Sequence, residues 1–215
     1  MCKFNLDELW GLLKLGETVI IEDLSDSMSY RELYSLIRWA KSRGYPVVID
    51  DILGTLYIYK VNIELADLDS SLLNNVLVIK EGGRLEVGNI VGHITMKESA
   101  IQWREYEQIA RPLFESSQKP IINIVLGIEK LFMLADSKRE IITNINNLLS
   151  WIGNKKRIAF YFVNIDLINT TEFGVLPLLE ELASTIIKIK KIGNETRAVI
   201  TKSANEKLNN LEIRL

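Results

Sequence analysis

A three-layer α/β fold, with a mostly parallel central sheet, helices on both faces and an antiparallel C-terminal hairpin, is what this 215-residue sequence predicts. Two patterns point to it. Short runs rich in Val and Ile alternate with stretches of helical period through most of the chain, and those runs are apolar along their length, as strands buried on both faces are. Near the C-terminus, STIIKIKK and ETRAVIT flank Gly193 and Asn194 with no helical stretch between them, the signal of a hairpin.

The elements follow in order. Asn5 with Glu8 opens a short helix carrying Leu6, Leu9, Trp10 and Leu13 on one side, and Gly16 closes it. Residues 17–23 read as a buried strand, and the polar turn after them leads to a helix over 29–43, with Ser29 and Glu32 in the S-x-x-E capping pattern. PVVIDD at 46–51 is the second strand, so the unit is β-α-β and the sheet parallel. A helix over 55–66 and strands over 76–80 and 89–94 come next, the two strands linked through Gly82, Gly83 and Gly88.

A long charged helix spans 98–117, and IINIVL after Pro120, the most apolar run, belongs in the interior of the sheet. IEKLFML starts another helix. Ser137 and Glu140 repeat the capping pattern before a helix whose buried face is expected at Ile141, Ile142, Ile145, Leu148, Leu149 and Ile152. RIAFYFV at 157–163 is a strand, 172–182 a short helix, and LEIRL a final strand after the hairpin. Residues 1–215 are expected to form a single domain, without repeats or low-complexity linkers.

An apolar fraction of 47% with 25% charged residues is enough for a full core. The formal charge of −2 provides no global attraction for nucleic acid or an anionic membrane. No run reaches the roughly 20 apolar residues of a membrane helix, and Met1 to Trp10 reads as an amphipathic helix rather than a signal peptide, so a cytoplasmic location is expected. Cys2 stands alone, which excludes an internal disulfide or a CxxC site. Abundant Ile, Lys and Glu, with Gln only at 102, 108 and 118, lean towards a thermophile, whereas the many Asn residues argue the other way.

Catalytic patterns are excluded mainly by residue count. One histidine, His93, rules out HExxH and paired-histidine metal sites, and neither a GxSxG elbow nor a GxGxxG fingerprint is present. A Ser-His-Asp triad through His93 stays open, although a lone histidine between Gly92 and Ile94 is more simply structural or partner-facing. After the first strand, where a phosphate-binding loop would read GxxxxGKS or GxxxxGKT, the sequence is EDLSDSMS. It has no Gly and no Lys, and Glu22, Asp23 and Asp26 would repel a triphosphate.

The same acidity suggests a divalent-cation site. Asp23, Asp26, Asp50 and Asp51 follow two strands whose carboxyl ends form the usual ligand crevice, and Glu129 follows another. The simpler alternative makes Asp23 and Asp26 turn caps, Asp50 or Asp51 a helix cap, and Glu129 a dipole partner. Lys155, Lys156 and Arg157 with Lys188, Lys190 and Lys191 could form a local basic patch. Trp39, Trp103 and Trp151, with Tyr30, Tyr34, Tyr57 and Tyr59, serve either the core or an exposed aromatic interface.

Three stretches carry a resemblance to the RecA/KaiC-like branch of the phosphate-loop fold: LLKLGETVIIED as lead-in and first strand, IINIVLGIEKL as its acidic-motif strand, and LLEELASTIIKI with TRAVITK as its closing strands. INIVLGIEKLF and GNKKRIAFYFVNIDL resemble an uncharacterised domain-of-unknown-function family of Pyrococcus and Thermococcus-type archaea. The resemblance implies a RecA-like fold and a hyperthermophilic origin, but no activity. Leu126 and Gly127 stand where the superfamily usually has a magnesium-binding Asp, so no catalytic residue carries over.

The expected function is therefore non-catalytic binding or regulation on a degenerate nucleotide-binding scaffold, through contact with a protein partner or with itself. The alternatives are a metal-dependent ligand binder or enzyme using the acidic crevice, and a nucleic-acid accessory protein using the basic hairpin. No cofactor is expected beyond a possible divalent cation, nucleic acid is a minor candidate as a partner, and a membrane is none.

Overall fold

A computed structural model describes residues 5–27, 29–171, 173–193 and 195–215. Cys2 lies outside them. The described strands are β1 (Thr18–Asp23), β2 (Val47–Ile52), β3 (Leu77–Glu81), β4 (Asn89–Ile94), β5 (Ile121–Leu126), β6 (Arg157–Asn164), β7 (Thr185–Ile192), β8 (Glu195–Ser203) and β9 (Glu212–Arg214). They form one sheet in the order β4-β3-β2-β5-β6-β1-β7-β8-β9. All pairings from β4 to β7 are parallel, and β7-β8 and β8-β9 are antiparallel. β5 lies in the interior between β2 and β6, as its apolar sequence requires.

The helices are α1 (Leu6–Leu12), α2 (Tyr30–Ser42), α3 (Thr55–Leu65), α4 (Ser99–Ser116), α5 (Ile128–Met133), α6 (Lys138–Leu149), α7 (Ile165–Ile168) and α8 (Val175–Leu182). Trp10, Leu33, Ile37, Leu56 and Ile63 of α1 to α3 join Val19, Ile21, Ile49, Ile124 and Phe160 in the core on one face. The opposite face holds Ile20, Val125 and Tyr161 against α5, α6 and α8, with Tyr106 and Phe114 of α4 further along. Alternate residues of each strand thus enter different cores, giving the three layers.

Local details refine the sequence reading. β3 and β4 are parallel neighbours without a crossover helix, because residues 82–88 run back along β3 as an extended return. At about 3.3 Å per residue that segment is long enough to retrace the strand, and Gly82, Gly83 and Gly88 turn it with φ of 66°, 75° and 80°. The region of the single helix expected over 172–182 holds α8, preceded by the short α7. On α6 the buried stripe is Ile141, Asn144, Ile145 and Leu148, while Ile142 and Leu149 face outward, 48% and 52% exposed. Long apolar side chains mimic a wider buried face than one helix stripe provides.

The capping patterns also diverge. Asn5 and Glu8 make a full reciprocal box, but Ser29 gives α2 no such cap, because its hydroxyl donates to Asp23 instead. Ser137 accepts from the Glu140 amide, whereas Glu140 reaches the amide of Asp136 and the hydroxyl of Ser99, tying α6 to α4.

Candidate functional site

The carboxyl ends of β1, β2, β5 and β6 open on a shared edge of the sheet, and the loop after β1 crosses it. Asp23 ends β1 on the α2 face, and its Oδ2 accepts both the Ser29 amide at 3.0 Å and the Ser29 hydroxyl at 2.7 Å. The protein's own carboxylate therefore sits at the N-terminus of α2, the place that binds phosphate when it is left free. Three further loop amides are occupied as well. Leu24 donates to the Ser27 hydroxyl, Ser25 to Asp166 at the start of α7, and Ser27 to the Leu24 carbonyl.

Beside this loop lies a cavity of about 110 Å³ between α3, α5 and α7. Its polar wall includes Asp23, Thr55, Glu129, Lys130 and Asn164, and Leu24, Ile58, Phe162 and Leu167 supply its apolar wall. Glu129 is only 4% exposed, and its Oε2 has no hydrogen-bond partner among the described residues. Among the described residues no ion pair joins Lys130 to it. The Lys130 ammonium donates to the Thr55 hydroxyl at 2.7 Å, and Thr55 in turn donates to the Ile52 carbonyl at 2.6 Å.

Burial governs the acid chemistry here. It raises Glu129 to about 7 despite its backbone hydrogen bond and Lys130, and the charge of Asp23 adds to the rise. Burial likewise raises Asp23 to about 6 against the Ser29 hydrogen bonds, and Glu32 on α2 to about 7. These carboxyls favour protonation or a neighbouring positive charge.

Gly127 frames the cavity with φ +86°, and a methyl group there would meet the Thr55 hydroxyl and lie 2.9 Å from the Ile52 carbonyl. Gly127→Ala is expected to cost about 1–3 kcal/mol in thermal or denaturant unfolding. Gly153→Ala, at φ +74° but in open space, serves as the milder control.

The five carboxylates proposed from the sequence do not form one cluster. Asp23 and Glu129 share the cavity, but Asp26 is exposed on the loop beside a separate groove. Asp50 and Asp51 are adjacent on one strand and therefore point to opposite faces. Asp51 caps α3 through the Leu56 amide at 2.8 Å and pairs with Lys80 at 2.6 Å. Asp50 enters the other core, where the Asn123 amide and the Tyr106 hydroxyl donate to its Oδ2 at 2.9 and 3.0 Å. Among the described residues no group of three or more His, Cys, Asp or Glu is placed to hold a metal ion.

Other candidates disperse too. His93 is exposed on the edge strand β4, 3.5 Å from Glu86, and no serine hydrogen-bonds to it among the described residues. Arg157 is not a surface charge: it is buried, hydrogen-bonded to Asn123, and stacked against Phe114 and Trp151. Lys188 is consumed by Glu22 at 2.9 Å and Glu180 at 3.1 Å, and Lys190 and Lys191 project to opposite faces of β7. Trp39, Tyr59 and Trp151 are core residues, Trp103 is half-buried on α4 and donates to Asn144, and Tyr30 and Tyr34 are half-buried on α2. Of the aromatic residues proposed for an interface, Tyr57 is the exposed one, at 37%.

Thr55 and Asp166 belong to the site region without a site reading from the sequence, and Glu32 and Tyr59 were read there only as a capping residue and a candidate interface aromatic. Asp166 had one legible signal, its place just after an apolar strand. The others lie in the first two turns of α2 and α3, and only packing shows that those helix starts meet at the edge.

Strand order and layers define a three-layer α/β scaffold in which the loop after β1 is held by the chain's own side chains. The chain belongs to the family described as "Pyrococcus protein of unknown function, DUF257", whose model matches residues 8–214. It is similar to the PH0250 protein of Pyrococcus horikoshii OT3, at 32% identity and a TM-score of 0.83 over 96% of each chain. It is also similar to the KaiC-like protein PH0186 of the same archaeon, at 10% identity and a TM-score of 0.62 over 93% of this chain and 85% of that one. The second likeness establishes the KaiC-like, RecA-type fold, and the family and these relatives agree with a hyperthermophilic archaeal origin. No curated protein matches the sequence significantly. Among the described residues no helix is long and apolar enough to cross a membrane.

Proposed function

We propose that this chain is a non-catalytic binding or regulatory protein of the cytoplasm, built on a KaiC-like scaffold that no longer takes a nucleoside triphosphate. One observation carries this reading: the Asp23 carboxylate accepts the amide and hydroxyl of Ser29 at the head of α2. A triphosphate entering there would have to displace a hydrogen-bonded carboxylate and face its charge. The neighbouring amides of Leu24, Ser25 and Ser27 are also committed. Contact with a protein partner or a second copy is part of the proposal, supported by Ile142 and Leu149, which lie on one exposed stripe of α6.

The expected result is that ATP or GTP with Mg²⁺ leaves the melting temperature unchanged. A ligand at 100 times its Kd would stabilise the protein by about 2.7 kcal/mol, well within detection. A reproducible nucleotide-dependent shift would overturn the proposal.

A further inference from the structure

We propose that the cavity over the ends of β1, β5 and β6 binds an organic ammonium ion, with the carboxylates of Asp23 and Glu129 as its counter-charges. The inference rests on the reading that the scaffold has given up triphosphate, and it names what the vacated edge takes instead.

Three observations converge. Glu129 Oε2 is buried and without a partner, in a residue that forms the cavity wall. Buried acceptors in folded proteins are paired in the large majority of cases, so an orphan beside a cavity points to a missing donor. Next, the charges facing the space do not cancel: Asp23 and Glu129 stand against Lys130 alone, which leaves one negative charge for a monocation to balance. Finally, Leu24, Ile58 and Phe162 give an apolar wall against which methylene groups can lie, so a cationic head with a carbon tail suits the space better than a hydrated ion.

A divalent metal suits it less. Hard cations take about six to eight oxygen ligands, Asp23 Oδ2 already serves Ser29, and no metal-ligating triple occurs among the described residues. An ammonium needs about three acceptors; Glu129 and the remaining oxygen of Asp23 supply two, and solvent at the rim the third, because Asn164 Oδ1 already accepts the Leu167 amide at 3.0 Å.

The test is calorimetric titration of the full chain with butylammonium chloride and with 1,4-diaminobutane at constant ionic strength. NaCl, MgCl₂ and MgATP are the comparison arms. Saturable binding of the ammonium probes is expected, weakened at least about tenfold by Glu129→Gln, equivalent to about 1.4 kcal/mol. Ile58→Trp at the exposed rim should block entry without altering charge, which keeps the test valid if Glu129→Gln misfolds. Affinity should rise from pH 6 to pH 8 as Asp23 and Glu129 ionise, in the presence of Lys130 of α5, Glu32 of α2, Tyr59 of α3 and Asp166 of α7. Silence with ammonium and with MgATP would overturn the ammonium site alone, whereas binding of MgATP would overturn the reading beneath it. Binding of Mg²⁺ or Na⁺ in place of the amines would overturn the ligand class, and unchanged affinity in both variants would overturn the location.

Discussion

Lys80→Met is expected to lower the unfolding free energy by about 3–5 kcal/mol, because it strips a buried carboxylate of its counter-ion. Lys80 and Asp51 are 1% and 0% exposed and meet at 2.6 Å in the helix-facing core. Asp51 has a second task, accepting the Leu56 amide that starts α3. It therefore cannot turn away to water when Lys80 is removed. The loss should appear as a lower guanidinium midpoint at neutral pH with an unchanged m-value. Adding Asp51→Asn to Lys80→Met should recover most of it, since the amide oxygen keeps the Leu56 bond and no charge remains. A single-variant loss below about 1 kcal/mol would mean the pair is hydrated.

The second large effect is a stability that declines as pH rises. Burial raises Glu81 to about 8, with Asp50 and Asp51 adding to the rise and the Gln102 amide opposing it from 2.8 Å. In the unfolded chain a glutamate titrates near 4.3. Between these values the folded protein holds a proton that the unfolded chain has released, so stability is highest at the acid end and falls through the window by up to about 1.4 kcal/mol per pH unit. Above about 8 the loss from this residue is complete. Asp23, Asp50, Glu22, Glu32 and Glu129 are shifted in the same direction, to about 6 or 7. The Glu81→Gln variant cannot titrate at that position. It should match the parent near pH 5 and exceed it by a few kcal/mol at pH 8 to 9, in denaturant unfolding followed across pH. Parallel profiles for the two proteins would show that Glu81 carries its charge throughout, with water or a cation beside it.

Asp50 also has an oxygen without a partner among the described residues, in the core under α4, where a cavity of about 10 Å³ lies against Trp103, Tyr106 and Arg157. That space is on the scale of one water molecule. It explains how a carboxyl, an arginine and three aromatic rings share an interior: Asn123 bridges the charges and the rings cover them.

Much of this architecture was legible beforehand. Strands β1, β2, β5, β6 and the closing hairpin follow from Val- and Ile-rich runs and their punctuation, because strands buried on both faces are made mostly of apolar residues. The Asn5–Glu8 box was readable for the same local reason: both partners lie within one turn. The candidate site was legible only in its poverty of phosphate-binding residues and its acidity.

What the sequence determined by itself was the class of fold and the lack of a phosphate-loop motif after β1, since both depend on residue types at short separations along the chain. Tertiary structure decided which acids act together. Asp50 and Asp51 are neighbours in sequence and lie on opposite faces, whereas Asp23 and Glu129 are far apart in sequence and share one cavity. The strand pleat separates the first pair, and the crossovers that bring β1 and β5 to either side of β6 unite the second. The same packing buried Arg157 against Phe114 of α4 and Trp151, and the turn after β1 brought Ser29 back to Asp23, six residues earlier, in place of Glu32.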